Sequence, residues 1–178
     1  MKKLNLLSVL SVLASLSFAS HAFASPAVYS IGVSEELQQE DEWCWAAASV
    51  SILDYFGESV DQDEVVEYVK GDVINEGATD SEVQDGLEHW GVDSTRTTSY
   101  LSFSTIKSEI YNYERPIYAG WTWDTGGGHA VVLDGYDDDT TDYVEYMDPW
   151  DGDHKSSTYN WFKSSSDHVW DGTLYKMR

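Results

Sequence analysis

The chain has 178 residues and a formal net charge of −22, from 10 basic and 32 acidic side chains. Such an acidic surface repels nucleic acids and anionic membranes, so we expect neither as a partner. The length predicts one domain, expected to be a monomer, with a core large enough to be stable without disulfides.

Residues 1–24 have the pattern of a secretion signal. Two lysines precede an apolar run over residues 4–18, and small residues at positions 22 and 24 form a cleavage signature. The run is too short and too rich in serine for a membrane span. We therefore expect cleavage after Ala24, export to the periplasm or beyond, and a mature domain over 25–178.

The first half of the mature chain predicts one short strand, Val28 to Val33, followed by helices. The first helix starts at Trp43, ends at Tyr55 and is stopped by Gly57. A second is capped by Asp61, with Glu64 completing a near capping box. In chain order, the later helices are predicted at Asp61 to Lys70, Asp80 to Trp90 with Asp80 as its cap, and Ser102 to Tyr113, which ends before Pro116.

The second half predicts strands, because valine, leucine and aromatic residues alternate between glycine-rich and acidic turns. The predicted strands are Pro116 to Thr122, His129 to Tyr136, Tyr143 to Met147, Tyr159 to Phe162 and Thr173 to Lys176. Helices followed by antiparallel strands are typical of the α+β class.

Cys44 is the one cysteine, and it falls in the first turn of the helix predicted from Trp43. An exported protein normally pairs its cysteines, so a single thiol is either incidental or kept for its reactivity. The helix dipole and free backbone N–H groups at that position favour a thiolate. The alternative is a small buried apolar side chain at a helix start.

A cysteine nucleophile needs a base, and the candidate is His129, which begins a strand directly after Gly126, Gly127 and Gly128. Glycines permit a close backbone approach and leave open space beside the imidazole. The alternative is an ordinary histidine beside a hairpin loop. The three other histidines of the mature chain are expected at the surface: His89, His154 and His168.

Asp148 ends the next predicted strand, so a hairpin of the two strands would bring it close to His129. A carboxylate there would orient the imidazole and favour its protonated form. The alternative is a simple Asp-Pro turn. Gln38 lies six residues before Cys44 and can supply an amide donor to an oxyanion, but Gln39 is an equal competitor by chemistry alone.

Three motifs occur in order: Gln-x5-Cys-Trp-Ala-Ala from Gln38, Gly-His-Ala-Val-Val-Leu-x-Gly-Tyr from Gly128, and Asp-Pro at Asp148. Together they resemble the papain-like cysteine peptidases, over residues 38–150. The resemblance is greatest to bacterial members: bacteriocin leader-peptidase-like domains, staphopain-type enzymes and plant-pathogen effector proteases. Arg115-Pro116-Ile117 before the strand pair also fits that group.

The resemblance implies a helical subdomain packed against an antiparallel sheet, with the active site in the cleft between them. It implies Cys44 as nucleophile, His129 as base, Asp148 as third member and Gln38 as oxyanion donor, acting on a protein or peptide substrate. No cofactor or metal is expected. The short segment between Ala24 and Gln38 disfavours a papain-type inhibitory propeptide, and the absence of a transporter domain disfavours double-glycine leader processing.

Other interpretations stay open at this point. The same triad performs transglutaminase or amidase chemistry, and an idle papain-like module would bind a partner instead. A weaker alternative is a calcium loop formed by Asp148, Asp151 and Asp153, which lacks the spacing of an EF-hand. Four tryptophans are expected near the cleft, with at least two of them packing in the core: Trp43, Trp45, Trp121 and Trp123.

Overall fold

The computed structural model describes residues 25–178, so the predicted signal peptide lies outside the described residues. Over that range the chain forms five α-helices: α1 Cys44–Tyr55, α2 Gln62–Lys70, α3 Asp80–His89, α4 Phe103–Lys107 and α5 Tyr159–Lys163. It also forms seven strands: β1 Val28–Ser30, β2 Thr95–Thr97, β3 Ile117–Trp123, β4 Gly128–Asp137, β5 Tyr143–Asp148, β6 Asp153–Thr158 and β7 His168–Tyr175.

The strands form one antiparallel sheet in the order β2-β7-β3-β4-β5-β6. Strand β1 pairs with the end of β4 from Gly135 onward, beyond the point where β3 stops pairing at Leu133. The three longest helices, α1 to α3, come before the main strands in the chain. The predicted α+β class, a helical part against an antiparallel sheet, is therefore confirmed.

Strand β4 is at the centre of the molecule because both of its faces are buried. Ala130 and Val132 pack with helix α1 in one apolar cluster. Val131 and Leu133 point the other way, into a second cluster with the π-helical turn at Ser108–Asn112 and helix α5. This two-sided burial follows from a nearly continuous run of apolar residues along the strand.

Helix α1 is a core helix, because every residue from Trp45 to Leu53 is buried. Ala46, Ala47 and Ala48 are fully buried, and such small side chains allow the helix to lie close to the sheet. The packing fixes the N-terminal end of the helix, and with it Cys44, beside the start of β4.

Several predicted boundaries were right and one cap was wrong. Asp61 and Glu64 form the capping box of α2, and Gly71 ends that helix in the left-handed conformation. Helix α3 is capped by Thr79 rather than by Asp80, because Thr79 and Glu82 form the reciprocal capping box. Asp80 is instead the first residue inside the helix, where a carboxylate is also favourable.

The C-terminal third differs most from the prediction. Residues 159–162, predicted as a strand, form helix α5, whose N-cap Thr158 accepts from the Trp161 N–H. The last strand starts at His168, before the predicted Thr173, and β2 and β6 were not predicted.

The helix predicted from Ser102 to Tyr113 is divided into α4 and a π-helical turn. The first strand stops at Ser30 rather than Val33.

Candidate active site

Cys44 is the first residue of α1 and its thiol is partly exposed. The preceding Trp43 is the N-cap, and its side chain makes no capping hydrogen bond. The first N–H groups of a helix have no acceptors within the helix, so they remain available to a ligand at this end. The thiol therefore lies where backbone donors and the helix dipole favour negative charge.

The imidazole of His129 hydrogen-bonds to Asp148: Nε2 lies 2.6 Å from Oδ1, and both side chains are buried. This contact leaves Nδ1 as the ring nitrogen available to Cys44. The preceding turn has the form that the sequence predicted, with Gly126 and Gly127 at φ values of 89° and 79°. A Cβ on Gly128 would lie 2.6 Å from the Trp121 carbonyl oxygen, so this position requires glycine.

The Asp148 carboxylate accepts three hydrogen bonds. Oδ1 accepts from His129 and from the backbone N–H of Trp150 at 3.0 Å, and Oδ2 accepts from Lys155 Nζ at 2.8 Å. Burial would raise the pKa of Asp148, but the contacts with His129, Lys155 and Trp150 outweigh it and lower the pKa to about 2. The carboxylate is therefore ionised at any pH where the protein would act.

The pKa of His129 is raised to about 9. Burial alone would lower it, but hydrogen bonds and charge interactions with Asp148 and Cys44 more than offset that effect. An imidazole in this environment is protonated at neutral pH. Protonated His129 therefore places a positive charge beside the Cys44 side chain.

Two aromatic side chains surround the imidazole. The Trp123 ring stacks on His129 with ring centroids 6.0 Å apart and an interplanar angle of 19°. The Trp121 ring lies 5.9 Å away at an angle of 48°. These rings limit the access of water to His129, which strengthens its interaction with Asp148.

Gln38 lines the same cavity as Cys44, His129 and Asp148. Its Nε2 donates to the carbonyl oxygens of Glu40 and Asp41, both at 3.0 Å, while its Oε1 is buried without a partner among the described residues. Gln39, the competitor in the sequence, is exposed and its backbone N–H donates to Gln62. Of the two glutamines, Gln38 is therefore the one beside the thiol.

Two cavities meet at Cys44 and His129. The first, of about 640 Å³, extends past Asp148 and is lined by five aromatic rings; we refer to it as the aromatic cavity. Its rings belong to Trp121, Trp123, Tyr146, Trp150 and Trp161. Trp150 is 67% exposed and Trp161 43% exposed, so part of this apolar surface is open to a ligand.

The second cavity, of about 550 Å³, extends from Cys44 toward α3 and contains three carboxylates; we refer to it as the acidic cavity. They belong to Glu42, Asp80 and Asp171. Burial raises the pKa of Asp80, against the opposing effect of Arg96 and with a contribution from Asp171. With one cavity on either side of the thiol, the cleft has room for an extended chain that passes Cys44.

One prediction near the site was wrong. His168 is buried, not at the surface, because it begins β7 and faces the aromatic cluster, with its ring 4.3 Å from that of Trp121. Trp43 is one of the tryptophans that pack in the core, and its Nε1 donates to the Ile74 carbonyl oxygen at 2.8 Å. His89 and His154 are exposed as predicted.

Lys155, Trp150 and Trp161 were missed in the sequence. Lys155 lies on β6 and Trp161 on α5, neither of which was predicted, and Trp150 lies in the turn between β5 and β6. Two carboxylates of the suggested calcium loop have a different partner, because Asp148 and Asp151 both bind the Lys155 ammonium group. Across residues 25–178 there is no group of three or more metal-binding side chains, and no helix there is both long and apolar enough to span a membrane.

Comparisons with known proteins agree with this fold. A family model described as papain-like cysteine protease AvrRpt2 matches residues 27–167. A double-glycine-motif protease from an AMS/PCAT transporter, solved with its leader peptide, superposes with a TM-score of 0.60 at 20% identity, covering 83% of this chain and 92% of that one. A C39-like peptidase from Bacillus anthracis gives 0.59 at 14% identity, with 83% and 95% covered. No curated protein matches the chain.

Proposed function

The chain belongs to the AvrRpt2 family of papain-like cysteine proteases, and we propose that it hydrolyses peptide bonds with Cys44, His129 and Asp148 as its triad. The observation that carries the proposal is the buried 2.6 Å contact between His129 and Asp148 in the cavity that Cys44 lines. Nucleophile, base and orienting group are thus adjacent, as covalent catalysis requires.

In the first half of the reaction, the Cys44 thiolate attacks the carbonyl carbon of the scissile bond and its π electrons move to the oxygen. When the tetrahedral species collapses, the C–N bond breaks and His129 transfers its proton to the leaving amine. Asp148 keeps the imidazole oriented throughout. The products of this half are a free amine and a thioester on Cys44.

In the second half, neutral His129 takes a proton from water, and the resulting hydroxide oxygen bonds to the thioester carbon. The C–S bond then breaks, which releases the product as a carboxylic acid and returns the thiolate and the imidazolium; the acid loses its remaining proton to solvent. The raised pKa of His129 supports this cycle, because the residue starts each turnover protonated.

The negative oxygen needs two donors. We assign one to the Cys44 backbone N–H at the start of α1 and the other to Gln38. Both hydrogens of the Gln38 amide now donate to backbone carbonyls, so one of them must turn toward the substrate. The neighbouring contacts hold the amide close to the thiol in advance.

The proposed substrate is a peptide segment in extended form. Two open cavities on opposite sides of Cys44 support this, since residues before and after the cut need separate surfaces. The relative from the AMS/PCAT transporter was solved with a leader peptide, which gives the same class of ligand for a similar fold.

The test is modification of Cys44 by the epoxide inhibitor E-64, followed by intact mass, in the parent and in His129→Ala. We expect rapid addition of one inhibitor below pH 7 in the parent and a large loss of rate in the variant. Equal, slow labelling in both proteins, with the pH profile of an ordinary thiol, would reject the triad.

We also propose that the enzyme is exported after removal of residues 1–24. The support is the sequence of that segment together with the −22 net charge, which suits an extracellular or periplasmic solute. Mass measurement of the protein expressed in a bacterium tests this. The expected mature form starts at Ser25 and is found outside the cytoplasm, and uncleaved cytoplasmic protein would contradict it.

A further inference from the structure

Lys155 lies on β6 directly across from Tyr146 of β5, two residues before Asp148 on that strand. Its side chain is 33% exposed, and it reaches back along the strand pair to the active site. Nζ lies 2.8 Å from Oδ2 of Asp148 and 2.9 Å from Oδ2 of Asp151. The ammonium group therefore bridges the triad carboxylate and a second carboxylate.

The contact with Asp148 is on the oxygen that His129 does not use. Oδ1 is fixed by His129 and by the Trp150 N–H, and Lys155 is the partner of Oδ2 among the described residues. A carboxylate held at one oxygen can rotate about its Cβ–Cγ bond, whereas one held at both cannot. The orientation of Oδ1 toward the imidazole thus depends on a residue on another strand.

We propose that Lys155 is a positioning residue of the active site, which holds the Asp148 carboxylate in the orientation that directs Oδ1 at His129. This inference rests on the proposed function, because it concerns how the triad is held. Lys155 acts through Asp148 and needs no contact with the reacting atoms. Asp151 anchors the ammonium group from the solvent side.

The charge on Lys155 also limits the influence of the two carboxylates on His129. Burial alone would lower the pKa of Lys155, but Asp148 and Asp151 raise it overall, so the cation persists over the working range. Loss of this charge alone would raise the pKa of His129, whereas loss of the orientation of Asp148 would lower it. The direction of the shift therefore separates positioning from a simple charge effect.

Two other roles must be distinguished from positioning. One is an ordinary surface ion pair with Asp151, since exposed ion pairs often contribute little to stability. Lys155 also lines the aromatic cavity, where it could bind substrate directly. A surface pair predicts no effect on the chemistry, and a substrate contact predicts weaker binding without a change in the titration of His129.

The experiment compares the parent with Lys155→Met, Lys155→Arg, Asp151→Asn and His129→Ala. The first readout is the rate of Cys44 alkylation by iodoacetate against pH, which needs no substrate and depends on the imidazolium. The second is the maximal rate of hydrolysis of fluorescein-labelled casein. Melting temperatures verify that each variant is folded.

For Lys155→Met we expect the alkaline limb of alkylation to move to lower pH by about half a unit, because an Asp148 carboxylate that is free to rotate stabilises the imidazolium less. We expect maximal hydrolysis to fall by about tenfold, as for other residues that orient a reacting group through a partner. Lys155→Arg should keep both values near those of the parent, and Asp151→Asn should lie between the parent and Lys155→Met, because the ammonium group loses one of its two carboxylate partners.

An alkylation limb in Lys155→Met that coincides with that of the parent or moves to higher pH would overturn the inference alone. An unchanged limb with an increased KM would assign Lys155 to substrate binding and also overturn it. If the parent itself gives the profile of His129→Ala, the proposed triad fails and the inference fails with it.

Discussion

His129 is the second residue of β4 and Asp148 is the last residue of β5, and antiparallel pairing of these strands brings the two side chains together at 2.6 Å. The contact is buried, with side-chain exposures of 7% and 9%. A short hydrogen bond between a base and a carboxylate, away from water, couples the protonation of the two groups. The pH dependence of the enzyme should therefore follow from this pair.

We predict that activity persists through neutral pH and falls as pH rises through about 9, where His129 loses its proton. Above that pH the imidazole cannot protonate the leaving amine. The measurement is the rate of casein hydrolysis between pH 5 and 10. In Asp148→Asn the limb should move to lower pH, toward the ordinary value of a histidine, because the carboxylate no longer stabilises the imidazolium. A limb at the same pH in both proteins would contradict this origin.

The same pair should contribute to stability in a defined pH window. Since the pKa of His129 is raised to about 9, its contribution is complete below the unfolded value of about 6.5 and is lost as pH rises through 9. The pKa of Asp148 is lowered to about 2, so its contribution is present above about 3.9 and is lost as pH falls through 2.

Urea unfolding at pH 5.5 and pH 9.5 measures the alkaline side of this window. The parent should lose unfolding free energy between the two pH values, and Asp148→Asn should lose less. A loss of the same size in the variant would mean that other groups, not this pair, determine the alkaline destabilisation.

The sequence predicted the parts of the site that depend on local pattern. Cys44 begins an apolar helix, and His129 and Asp148 lie near the ends of strands with clear alternation. The local pattern was therefore enough to identify each of them as a candidate. The Gln38 or Gln39 question was open because both amides are chemically equal. It depends on which side chain faces the thiol, and the fold determines that through the loop contacts of Gln38 with Glu40 and Asp41.

The rest depends on contacts that local sequence does not encode. Residues 159–162 carry three aromatic rings and have strand propensity, yet Phe162 is buried against Trp170 and Tyr146 by a helical turn capped by Thr158. Tertiary packing here outweighs propensity. Strand β6 is polar, with exposed and half-buried residues, so its pattern gave no apolar alternation to detect.

Gly172 lies beneath the carboxylate of Asp80 in the acidic cavity. A Cβ on Gly172 would be 2.2 Å from Asp80 Oδ2, and one on Gly120, its partner in the sheet, would be 3.2 Å from Oδ1. We predict that Gly172→Ala destabilises the protein by about 1–3 kcal/mol through overpacking. Thermal unfolding measures the change.

The control is the double variant Gly172→Ala/Asp80→Ala, in which the shorter side chain leaves room for the new methyl group. Adding Gly172→Ala to Asp80→Ala should therefore lower the stability much less than adding Gly172→Ala to the parent. If the double variant is as unstable as expected from adding the two single effects, the contact between Asp80 and Gly172 is not the cause.

Gln38 gives the last prediction. Its Oε1 is buried and has no partner among residues 25–178, while both amide hydrogens are used, so in that part of the chain the nitrogen makes the hydrogen bonds that hold the side chain. If the amide is an oxyanion donor, Gln38→Ala should reduce the catalytic rate by about 100-fold or more. Binding of a substrate in its ground state should change little, because the donor acts on charge that develops in the transition state.

Gln39→Ala is the matched control, since the neighbouring glutamine is exposed and uses only its backbone N–H in the contact with Gln62. Its rate should stay near that of the parent. Alkylation of Cys44 by iodoacetate forms no oxyanion, so Gln38→Ala should be alkylated at the parent rate. A slow hydrolysis with normal alkylation therefore assigns Gln38 to the oxyanion, whereas loss of both would indicate that the substitution disturbs the thiol itself.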